Sequence, residues 1–432
     1  MKLAIIGCGY LGITLGSCMA EIGHNVMMHD IDTAKIENLK NGQLPLFEPG
    51  LEDMLKKNLL EGKINFSSEL KIAINDAEII FLALPTPANT NGSANLDALF
   101  KVSNNLAELI KEGAVIVNKC TVPVGTAEKI EEEIKNKTAV NFKLISNPEF
   151  LREGKAIYEL LNENRIVIGC DEEWAIQKLK DCYEKIIKKG VKVLVMDHKA
   201  AELTKCAANA FLATKISFIN EIANYCELAG VDIEMIKAGI GSDSRIGEKY
   251  LSAGIGYGGG CLAKDISALD RAGESLGYNF ELLKATISVN NKQINHILKK
   301  VLKYHAGNLN GKNLAIWGLA FKAETDDIRE APSIRIIEKL LAAGANIVTY
   351  DPKAMENVKK IFGEKIKYVN SPIEASKNAD GLLILNEWDC FLEADLSELK
   401  NNLKIPVVFD GRNLLNAQKA RIAGLIYFGM GK

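Results

Sequence analysis

Short apolar runs, each followed by a helix-length amphipathic stretch, recur in the first part of this chain and again in its last part. Runs of this kind are typical of strands that are buried on both faces, and their alternation with helices favours a parallel, doubly wound sheet. The first series of predicted strands covers residues 2–6, 25–29, 78–84, 114–118 and 165–169. The last series covers residues 313–317, 346–350, 381–385 and 406–409. The sequence therefore predicts two similar α/β domains.

A long helix is predicted between the two series. Asp197 can cap its start, Gly230 can end it, and apolar residues recur between them at helical spacing. About 30 residues of helix would extend roughly 45 Å, a length that suits a connector between domains or a subunit interface. We therefore expect two Rossmann-like, doubly wound parallel-sheet domains joined by a long central helix, with boundaries at 1–196, 197–305 and 306–432.

The composition is that of an ordinary globular protein. Apolar residues make up 47% of the chain, charged residues 25%, and the formal net charge is −2. The chain has no excess of basic residues, so we expect neither nucleic acid nor a membrane surface as a partner. The nine cysteines and five histidines are scattered, which predicts neither disulfides nor a metal site and favours a reducing, cytoplasmic compartment. Glycines interrupt the apolar N-terminus, so we expect neither an export signal nor a membrane span.

The first predicted strand is followed by GCGYLG at residues 7–12, which fits the pattern GxGxxG. A helix pattern follows these glycines, and Asp30 ends the second predicted strand. In dinucleotide-binding turns, such glycines let a pyrophosphate reach the helix N-terminus, and the carboxylate binds the ribose hydroxyls. The pattern predicts a dinucleotide site, and the acid favours NAD over NADP. Lys35 is either a ribose contact or a solvated helix residue, and a tight turn that binds nothing is the alternative for the motif.

The stretch GYGGGCLAKD at residues 256–265 places Cys261 behind a run of glycines and close to Lys264. Glycines belong where the backbone turns tightly or lies close to another group. Nearby positive charge and helix N-terminal amides make a thiol a usable nucleophile, although most cysteines are small buried apolar residues. Beside a NAD site, a nucleophilic cysteine predicts oxidation past an aldehyde: two hydride losses, through a thiohemiacetal and a thioester, and then release of an acid.

Three further polar groups are weak candidates on their own. Lys205 and Asn209 are spaced i, i+4, which places them on one face of the predicted long helix. The segment NPEFLREG at 147–154 carries two carboxylates and an arginine in a loop after an apolar strand, and residues 322–329 form a charged loop after the first strand of the last series. Charged runs are usually solvated, and a solvated lysine is the more frequent outcome for Lys205 alone.

The ordered motifs of this chain resemble those of the UDP-glucose 6-dehydrogenase family, within the wider UDP-glucose/GDP-mannose dehydrogenase group. The motifs that carry the resemblance are GCGYLG at 7–12, FEPGL at 47–51, TVPVGT at 121–126, NPEFLREG at 147–154, KCAANAFLATKISFINEIA at 205–223, SRIG at 244–247, GYGGGCLAKD at 256–265, GLAFKAETDDIRE at 318–330 and DGRN at 410–413. The resemblance implies NAD-dependent four-electron oxidation of UDP-glucose to UDP-glucuronate, with two NAD reduced per sugar.

The same resemblance implies roles for individual residues. Those implied in catalysis are the nucleophile Cys261 with Lys205, Asn209, Asp265 and Glu149. Those implied in NAD binding are Gly7, Gly9, Tyr10, Leu11, Gly12, Asp30, Lys35, Thr86, Thr121, Glu153, Lys264 and Arg329. Those implied in UDP-sugar binding are Glu149, Phe150, Leu151, Arg152, Glu153, Lys205, Asn209, Arg245, Tyr250, Leu251, Ser252, Ala253, Gly254, Gly258, Lys322 and Arg412. Arg245 resembles a residue that the family contributes across a homodimer interface, and the long helix resembles the core of that dimer.

Three departures from the family pattern bear on the identity of the sugar. Ala263 stands where many relatives have proline, Cys120 stands where serine is usual, and residues 162–164 replace a proline-aspartate turn. They remove no reacting group, but GDP-mannose and a UDP-N-acetylhexosamine stay open as alternative substrates. A non-catalytic sensor of NAD or of a nucleotide sugar is the alternative from another class, although a sensor needs no thiol.

Overall fold

The computed structural model describes residues 1–162 and 165–432, so the sequence departure at 162–164 lies partly outside the described residues. The chain divides into two compact units. The first contains residues 1–208 and 267–278, and the second contains residues 209–266 and 279–432. The three-part division that we expect from the sequence, with boundaries at 196 and 305, stays a prediction.

The first unit is built on a sheet that has eight described strands. They are β1 (Lys2–Ile6), β2 (Asn25–His29), β3 (Ile64–Ser67), β4 (Ile79–Leu82), β5 (Ala114–Asn118), β6 (Phe142–Ser146), β7 (Arg165–Gly169) and β8 (Lys192–Met196). Their order is β3-β2-β1-β4-β5-β6-β7-β8. Neighbouring strands pair in parallel, except that β6 and β7 are antiparallel. Its helices are α1 (Tyr10–Glu21), α2 (Thr33–Lys40), α3 (Leu51–Leu60), α4 (Leu70–Ile74), α5 (Asp97–Leu106), α6 (Thr126–Lys135), α7 (Ala156–Leu161), α8 (Glu173–Cys182) and α9 (Glu184–Ile187).

The second unit contains a parallel sheet with six described strands. They are β9 (Asn313–Trp317), β10 (Asn346–Tyr350), β11 (Lys367–Tyr368), β12 (Gly381–Ile384), β13 (Val407–Asp410) and β14 (Ile426–Phe428), in the order β11-β10-β9-β12-β13-β14. The remaining helices are α10 (His198–Ala229), α11 (Ile233–Gly241), α12 (Leu262–Ser275), α13 (Glu281–Tyr304), α14 (Pro332–Ala342), α15 (Met355–Phe362), a 3₁₀ turn (Gly363–Lys365), α16 (Pro372–Ser376), α17 (Asp389–Leu392), α18 (Leu396–Asn402) and α19 (Ala417–Ile422). Helices α10 and α12 contribute residues to both units.

The central strands are apolar on both faces because helices cover both sides of each sheet. In β1, Leu3 and Ile5 belong to one buried cluster, while the alternating Ala4 and Ile6 belong to another. Side chains of successive strand residues point to opposite faces, so β1 contributes side chains to both clusters.

Strands β1, β2, β4 and β5 are parallel, so their carboxyl ends meet at one edge of the first sheet. Ligands bind at this edge in doubly wound folds.

The predicted fold class is confirmed, and so is the long helix. The Asp197 side chain accepts a hydrogen bond from the Ala200 amide at 2.7 Å at the start of α10. Gly230, directly after the helix, has the left-handed φ of +68° that ends helices. The helix contains 32 residues.

Candidate active site

The GCGYLG turn joins β1 to α1. Gly7 has φ +106°, and a Cβ on it would lie 2.5 Å from the Ala83 carbonyl oxygen. A Cβ on Gly12 would lie 1.8 Å from the carbonyl oxygen of Gly7. Gly9 differs, because a Cβ there would meet no described atom within 4 Å. Gly9 directly precedes α1, so an anion can approach the N-terminus of this helix as a pyrophosphate does, and the residues fit a dinucleotide.

Asp30 follows β2 at the same edge of the first sheet. Its Oδ2 accepts hydrogen bonds from the Cys8 amide at 3.0 Å and from Lys35 Nζ at 2.9 Å. Burial would raise the pKa of the Asp30 carboxyl, but Lys35 and the amides of Asp32 and Cys8 hold this pKa below its usual value. The carboxylate is therefore ionised at neutral pH, and it can accept from ribose hydroxyls while repelling a phosphate.

Replacing Asp30 is expected to change cofactor preference. We expect Asp30→Ala to lower the preference for NAD over NADP about tenfold or more, because the repulsion between a carboxylate and a 2′-phosphate is lost. The measurement is the ratio of the dissociation constants of the two dinucleotides. Asp76→Ala is the matched control, since Asp76 is an exposed partner of Lys2. An unchanged ratio in Asp30→Ala would show that Asp30 does not bind the ribose.

The second sheet repeats this arrangement but uses its acid differently. Asp351 follows β10 as Asp30 follows β2, and its Oδ2 accepts from the Leu319 amide at 2.7 Å and the Ala320 amide at 3.2 Å. A Cβ on Gly318 would lie 2.2 Å from the side-chain oxygen of Asn386. Two consecutive amides of this turn donate to Asp351, whereas Asp30 accepts from one amide of the first turn, that of Cys8.

Helix α10 brings Lys205 to Glu149 within the first unit. Lys205 Nζ lies 2.9 Å from Glu149 Oε1, and the two side chains are 4% and 13% exposed. The other carboxylate oxygen accepts from the Leu151 amide at 2.6 Å. Burial would raise the pKa of Glu149, but the charge of Lys205, the Leu151 amide and the charge of Lys119 hold it below its usual value. Lys205 is thus a buried cation beside an ionised carboxylate, not a solvated helix residue.

The ring of Phe150 lies against two cations. The guanidinium carbon of Arg165 is 3.6 Å from the ring centroid, and Lys205 Nζ is 5.5 Å from it. Cations over an aromatic face are attracted by its quadrupole. Phe150 therefore helps to hold Lys205 beside Glu149.

A buried lysine was missed by the sequence analysis. Lys119 follows β5 and is 2% exposed. Its Nζ donates to Asn147 Oδ1 at 3.0 Å and to the Tyr183 hydroxyl at 3.2 Å. The available signal was its place between a predicted strand and the TVPVGT motif. It contributes to the electrostatics of Glu149, two residues after Asn147.

A second polar group forms in the second unit around Asp265. The Asn209 amide donates to Asp265 Oδ2 at 2.7 Å. Lys264 Nζ lies 2.7 Å from the other carboxylate oxygen, so the lysine for which the resemblance implies a NAD contact pairs with Asp265. Cys261 directly precedes α12, and its carbonyl accepts from the Asp265 amide at 2.9 Å. Its side chain is exposed at the N-terminal end of this helix, where backbone amides favour a thiolate.

The glycines before Cys261 are required by packing within the second unit. A Cβ on Gly258 would lie 2.3 Å from the Glu330 carbonyl oxygen. Gly259 has φ +84°, and a Cβ there would lie 2.8 Å from the Phe321 ring. The Gly259 amide also donates to the Arg329 carbonyl at 2.8 Å. The charged loop after β9 thus lies directly on the glycine run and fixes the backbone that leads to the thiol.

Residues 250–254, predicted to bind the sugar, form a tightly held segment. Tyr250 has φ +65°, a strained conformation for a bulky residue. The Gly254 amide donates to Asn220 Oδ1 at 2.8 Å, and its carbonyl accepts from Gln293 Nε2 at 2.9 Å. The sequence analysis missed both Asn220 and Gln293, because nothing local marks them. They fix the backbone of the predicted binding segment.

Arg412 acts as a brace inside the second unit. Its guanidinium donates to the carbonyls of Leu385 at 3.0 Å, Gly256 at 3.2 Å and Phe321 at 2.9 Å. It therefore connects the ends of β12 and β13 to the glycine run and to the charged loop after β9, which pack on each other. A contact between Arg412 and the sugar stays a prediction.

The predicted site residues are distributed over both units. The first unit contains Gly7, Gly9, Tyr10, Leu11, Gly12, Asp30, Lys35, Thr86, Thr121, Glu149, Phe150, Leu151, Arg152, Glu153 and Lys205. The second contains Asn209, Arg245, Tyr250, Leu251, Ser252, Ala253, Gly254, Gly258, Cys261, Lys264, Asp265, Lys322, Arg329 and Arg412. Thr86 and Thr121 lie together, since the Thr86 hydroxyl donates to the Thr121 carbonyl at 3.0 Å. Arg152 pairs with Glu159.

Three family models match this chain in order. They are the NAD binding domain, the central domain and the UDP binding domain of the UDP-glucose/GDP-mannose dehydrogenase family, at residues 1–187, 199–292 and 315–417. The chain belongs to this family. A UDP-glucose 6-dehydrogenase of Bacillus subtilis (TuaD) is 42% identical over 433 residues, which cover 100% of this chain and 93% of that protein. A UDP-glucose 6-dehydrogenase of Pseudomonas aeruginosa is 39% identical over 442 residues, covering 100% of this chain and 98% of that protein.

A solved structure gives the same answer for the fold. A UDP-glucose dehydrogenase of the archaeon Pyrobaculum islandicum superposes with a TM-score of 0.91 at 34% identity, covering 100% of this chain and 97% of that one. The predicted resemblance and the predicted cofactor NAD are confirmed, and the chain is a NAD-dependent dehydrogenase.

The described residues contain no cluster of histidine, cysteine, aspartate and glutamate that could hold a metal ion. In the same part of the chain, the helices lack the combination of length and apolar character needed to span a membrane.

Proposed function

We propose that this chain oxidises C6 of UDP-glucose to a carboxylate and so forms UDP-glucuronate. The observation that carries the four-electron chemistry is the exposed Cys261 thiol at the start of α12, three and four residues before the Lys264–Asp265 pair. The names of the similar Bacillus, Pseudomonas and Pyrobaculum proteins support UDP-glucose as the sugar. NAD, when bound, supplies the hydride acceptor for both oxidations.

The reaction consists of two oxidations. In the first, the C6 hydroxyl gives its proton to a base while C6 loses a hydride, and the carbon becomes an aldehyde. The Cys261 thiolate then adds to that carbon, and the new oxyanion is stabilised by the Lys205 ammonium and the Asn209 amide. Loss of hydride from this adduct leaves a thioester. Asp265 orients water for attack, the C–S bond breaks, and the thiolate leaves as the acid forms. Glu149 keeps Lys205 charged and in place.

The proposed reaction is tested by counting reduced cofactor. The purified chain is given UDP-glucose, GDP-mannose or a UDP-N-acetylhexosamine with NAD, and NADH is followed by absorbance. We expect turnover with UDP-glucose and about two NADH per sugar consumed. Faster turnover with another of these sugars would show that UDP-glucose is not the substrate. One NADH per sugar would refute the thioester route. Absence of NADH with all of them would favour a binding protein.

We also propose a homodimer formed through α10. Phe211, Phe218 and Tyr225 are 66%, 50% and 68% exposed, and their seven-residue spacing forms one apolar stripe on this helix. Large apolar residues that form a stripe on a surface are typical of subunit interfaces. A second copy is the occupant that the resemblance implies, because symmetric pairing would let the stripe pack against itself.

We propose a cytoplasmic location, since all nine cysteines lie within the described residues and all are thiols.

Arg245 is expected to complete the sugar site of the other subunit. Its side chain is 87% exposed and lies 2.6 Å from Asp243 in its own chain. We expect Arg245→Ala to weaken UDP-sugar binding about tenfold without dissociating the dimer, because one charged hydrogen-bond donor is lost. Calorimetric titration and sedimentation measure the two properties, with the exposed Arg421→Ala as the control. A fully active wild-type monomer would contradict this assignment.

A further inference from the structure

Glu48, in the FEPGL segment, is a buried acid to which the proposed reaction gives no role. The residue is 4% exposed. Oε1 accepts a hydrogen bond from the Ala156 amide at 2.7 Å. Oε2 accepts from the Gly154 amide at 2.6 Å and from the Tyr10 hydroxyl. One carboxylate therefore joins three donors from two distant segments of the first unit.

The two segments belong to different parts of the predicted site. Tyr10 is the first residue of α1, within the turn that fits the NAD pyrophosphate. Gly154 ends the NPEFLREG motif, and Ala156 begins α7. Glu149, the partner of Lys205, lies in that same motif. The carboxylate is thus a direct connection between the cofactor turn and the segment for which the resemblance implies sugar contacts.

The donors are well defined at neutral pH. Burial, together with the hydrogen bond to Glu48, raises the pKa of the Tyr10 phenol above its usual value, so the phenol keeps its proton and donates a hydrogen bond to the carboxylate. The Gly154 and Ala156 amides belong to the backbone, so they can lose these bonds only if the segment itself moves. Hydrogen bonds of a buried carboxylate are strong, and their loss leaves the acceptor unsatisfied. Movement of α1 and movement of residues 149–156 are therefore linked.

We propose that Glu48 is a positioning residue that couples the cofactor turn to residues 149–156, so that NAD binding orders the segment that carries Glu149. The role of that segment rests on the proposed function, whereas the coupling to NAD does not. Coupling between two sites is reciprocal. The sugar should therefore strengthen NAD binding by the same factor by which NAD strengthens sugar binding. The alternative is that Glu48 only stabilises the fold.

Hydrogen exchange separates these two roles, with NAD as the only ligand. Exchange of the backbone amides of residues 149–156 is measured with and without saturating NAD. In the natural protein we expect NAD to slow exchange at Gly154 and Ala156 about tenfold. In Tyr10→Phe, which removes one hydroxyl from the connection and leaves the Glu48 carboxylate, we expect the slowing to fall below about twofold. Tyr158→Phe changes an exposed tyrosine of α7 and should behave as the natural protein.

The possible outcomes are distinct. The proposal would be overturned if NAD slowed amide exchange in Tyr10→Phe as much as it does in the natural protein. It would also be overturned if NAD had no effect on exchange in the natural protein. A Tyr10→Phe chain that no longer binds NAD would also overturn it, because the Tyr10 hydroxyl would then act on NAD binding itself and not through Glu48. In Glu48→Gln, NAD should no longer slow exchange of these amides. If Glu48→Gln does not fold, the result for Tyr10→Phe alone decides. The result does not depend on which sugar is oxidised, so it stands apart from the NADH assay.

Discussion

Cys261→Ala is expected to abolish net formation of the acid while both ligands still bind. The first oxidation needs a base and an oriented C6 hydroxyl, so it does not require sulfur. The second needs a tetrahedral adduct that can lose hydride, and the thiohemiacetal on Cys261 provides it. Loss of such a step typically lowers the rate by several powers of ten, or about 4–8 kcal/mol of activation free energy.

The decisive measurement supplies the UDP-sugar aldehyde directly, with NAD, to Cys261→Ala. Acid formed at the natural rate would show that hydride leaves from a simple hydrate and that the thiol has no covalent role. Cys261→Ser should accumulate a slowly hydrolysed ester, since an alkoxide is a poorer leaving group than a thiolate. Cys390→Ala is the matched control, because Cys390 is half-buried in α17.

Lys205→Met should lower kcat/KM by about three powers of ten. Methionine nearly matches the length of lysine, so the change removes the charge from a side chain that is 4% exposed. It also leaves Glu149 buried without its cation. Burial would then raise the pKa of Glu149, because the charge of Lys205 no longer offsets it. The carboxylate would take up its proton at higher pH. Because the resemblance also implies that Glu149 contacts the sugar, the acidic limb of the profile of kcat/KM against pH should move upward.

Two variants separate chemistry from folding in this test. Lys199→Met removes an exposed lysine of the same helix, paired with Glu128, and should leave the pH profile unchanged. Adding Glu149→Gln to Lys205→Met removes the unpaired buried charge, so it should recover thermal stability but not activity. A Lys205→Met profile identical to that of the natural protein would remove Lys205 from the mechanism.

The sequence predicts strands well where both faces of a strand are apolar. Strand β5 has the sequence AVIVN and is buried at all but its first residue. Strand β6, with the sequence FKLIS, is predicted only as the apolar strand before NPEFLREG and not as a member of the first series, because Lys143 interrupts its apolar run. That lysine is tolerated because it pairs with Asp171 at 2.8 Å. Strands β3 and β8 were missed for a related reason, since they lie at the edges of the sheet and expose part of their length.

The candidate site divides in the same way between local and distant information. The glycine turn and the spacing of Lys205 and Asn209 are local patterns, so the sequence reveals them. Glu48 meets Tyr10 across 38 residues and Gly154 across 106, and no local pattern encodes such contacts. The reason for the glycines before Cys261 is equally distant, because the loop that covers them follows β9.

The unequal exposure of the thiols has a practical consequence for preparations of this protein. Cys261 is exposed, Cys390 is intermediate and the other cysteines are buried. Burial raises the pKa of Cys8 and Cys182 to about 12 and that of Cys390 to about 11, and alkylating reagents react with thiolates. Brief alkylation at neutral pH should therefore label one position per chain, and the molar yield of label counts the chains whose nucleophile is intact.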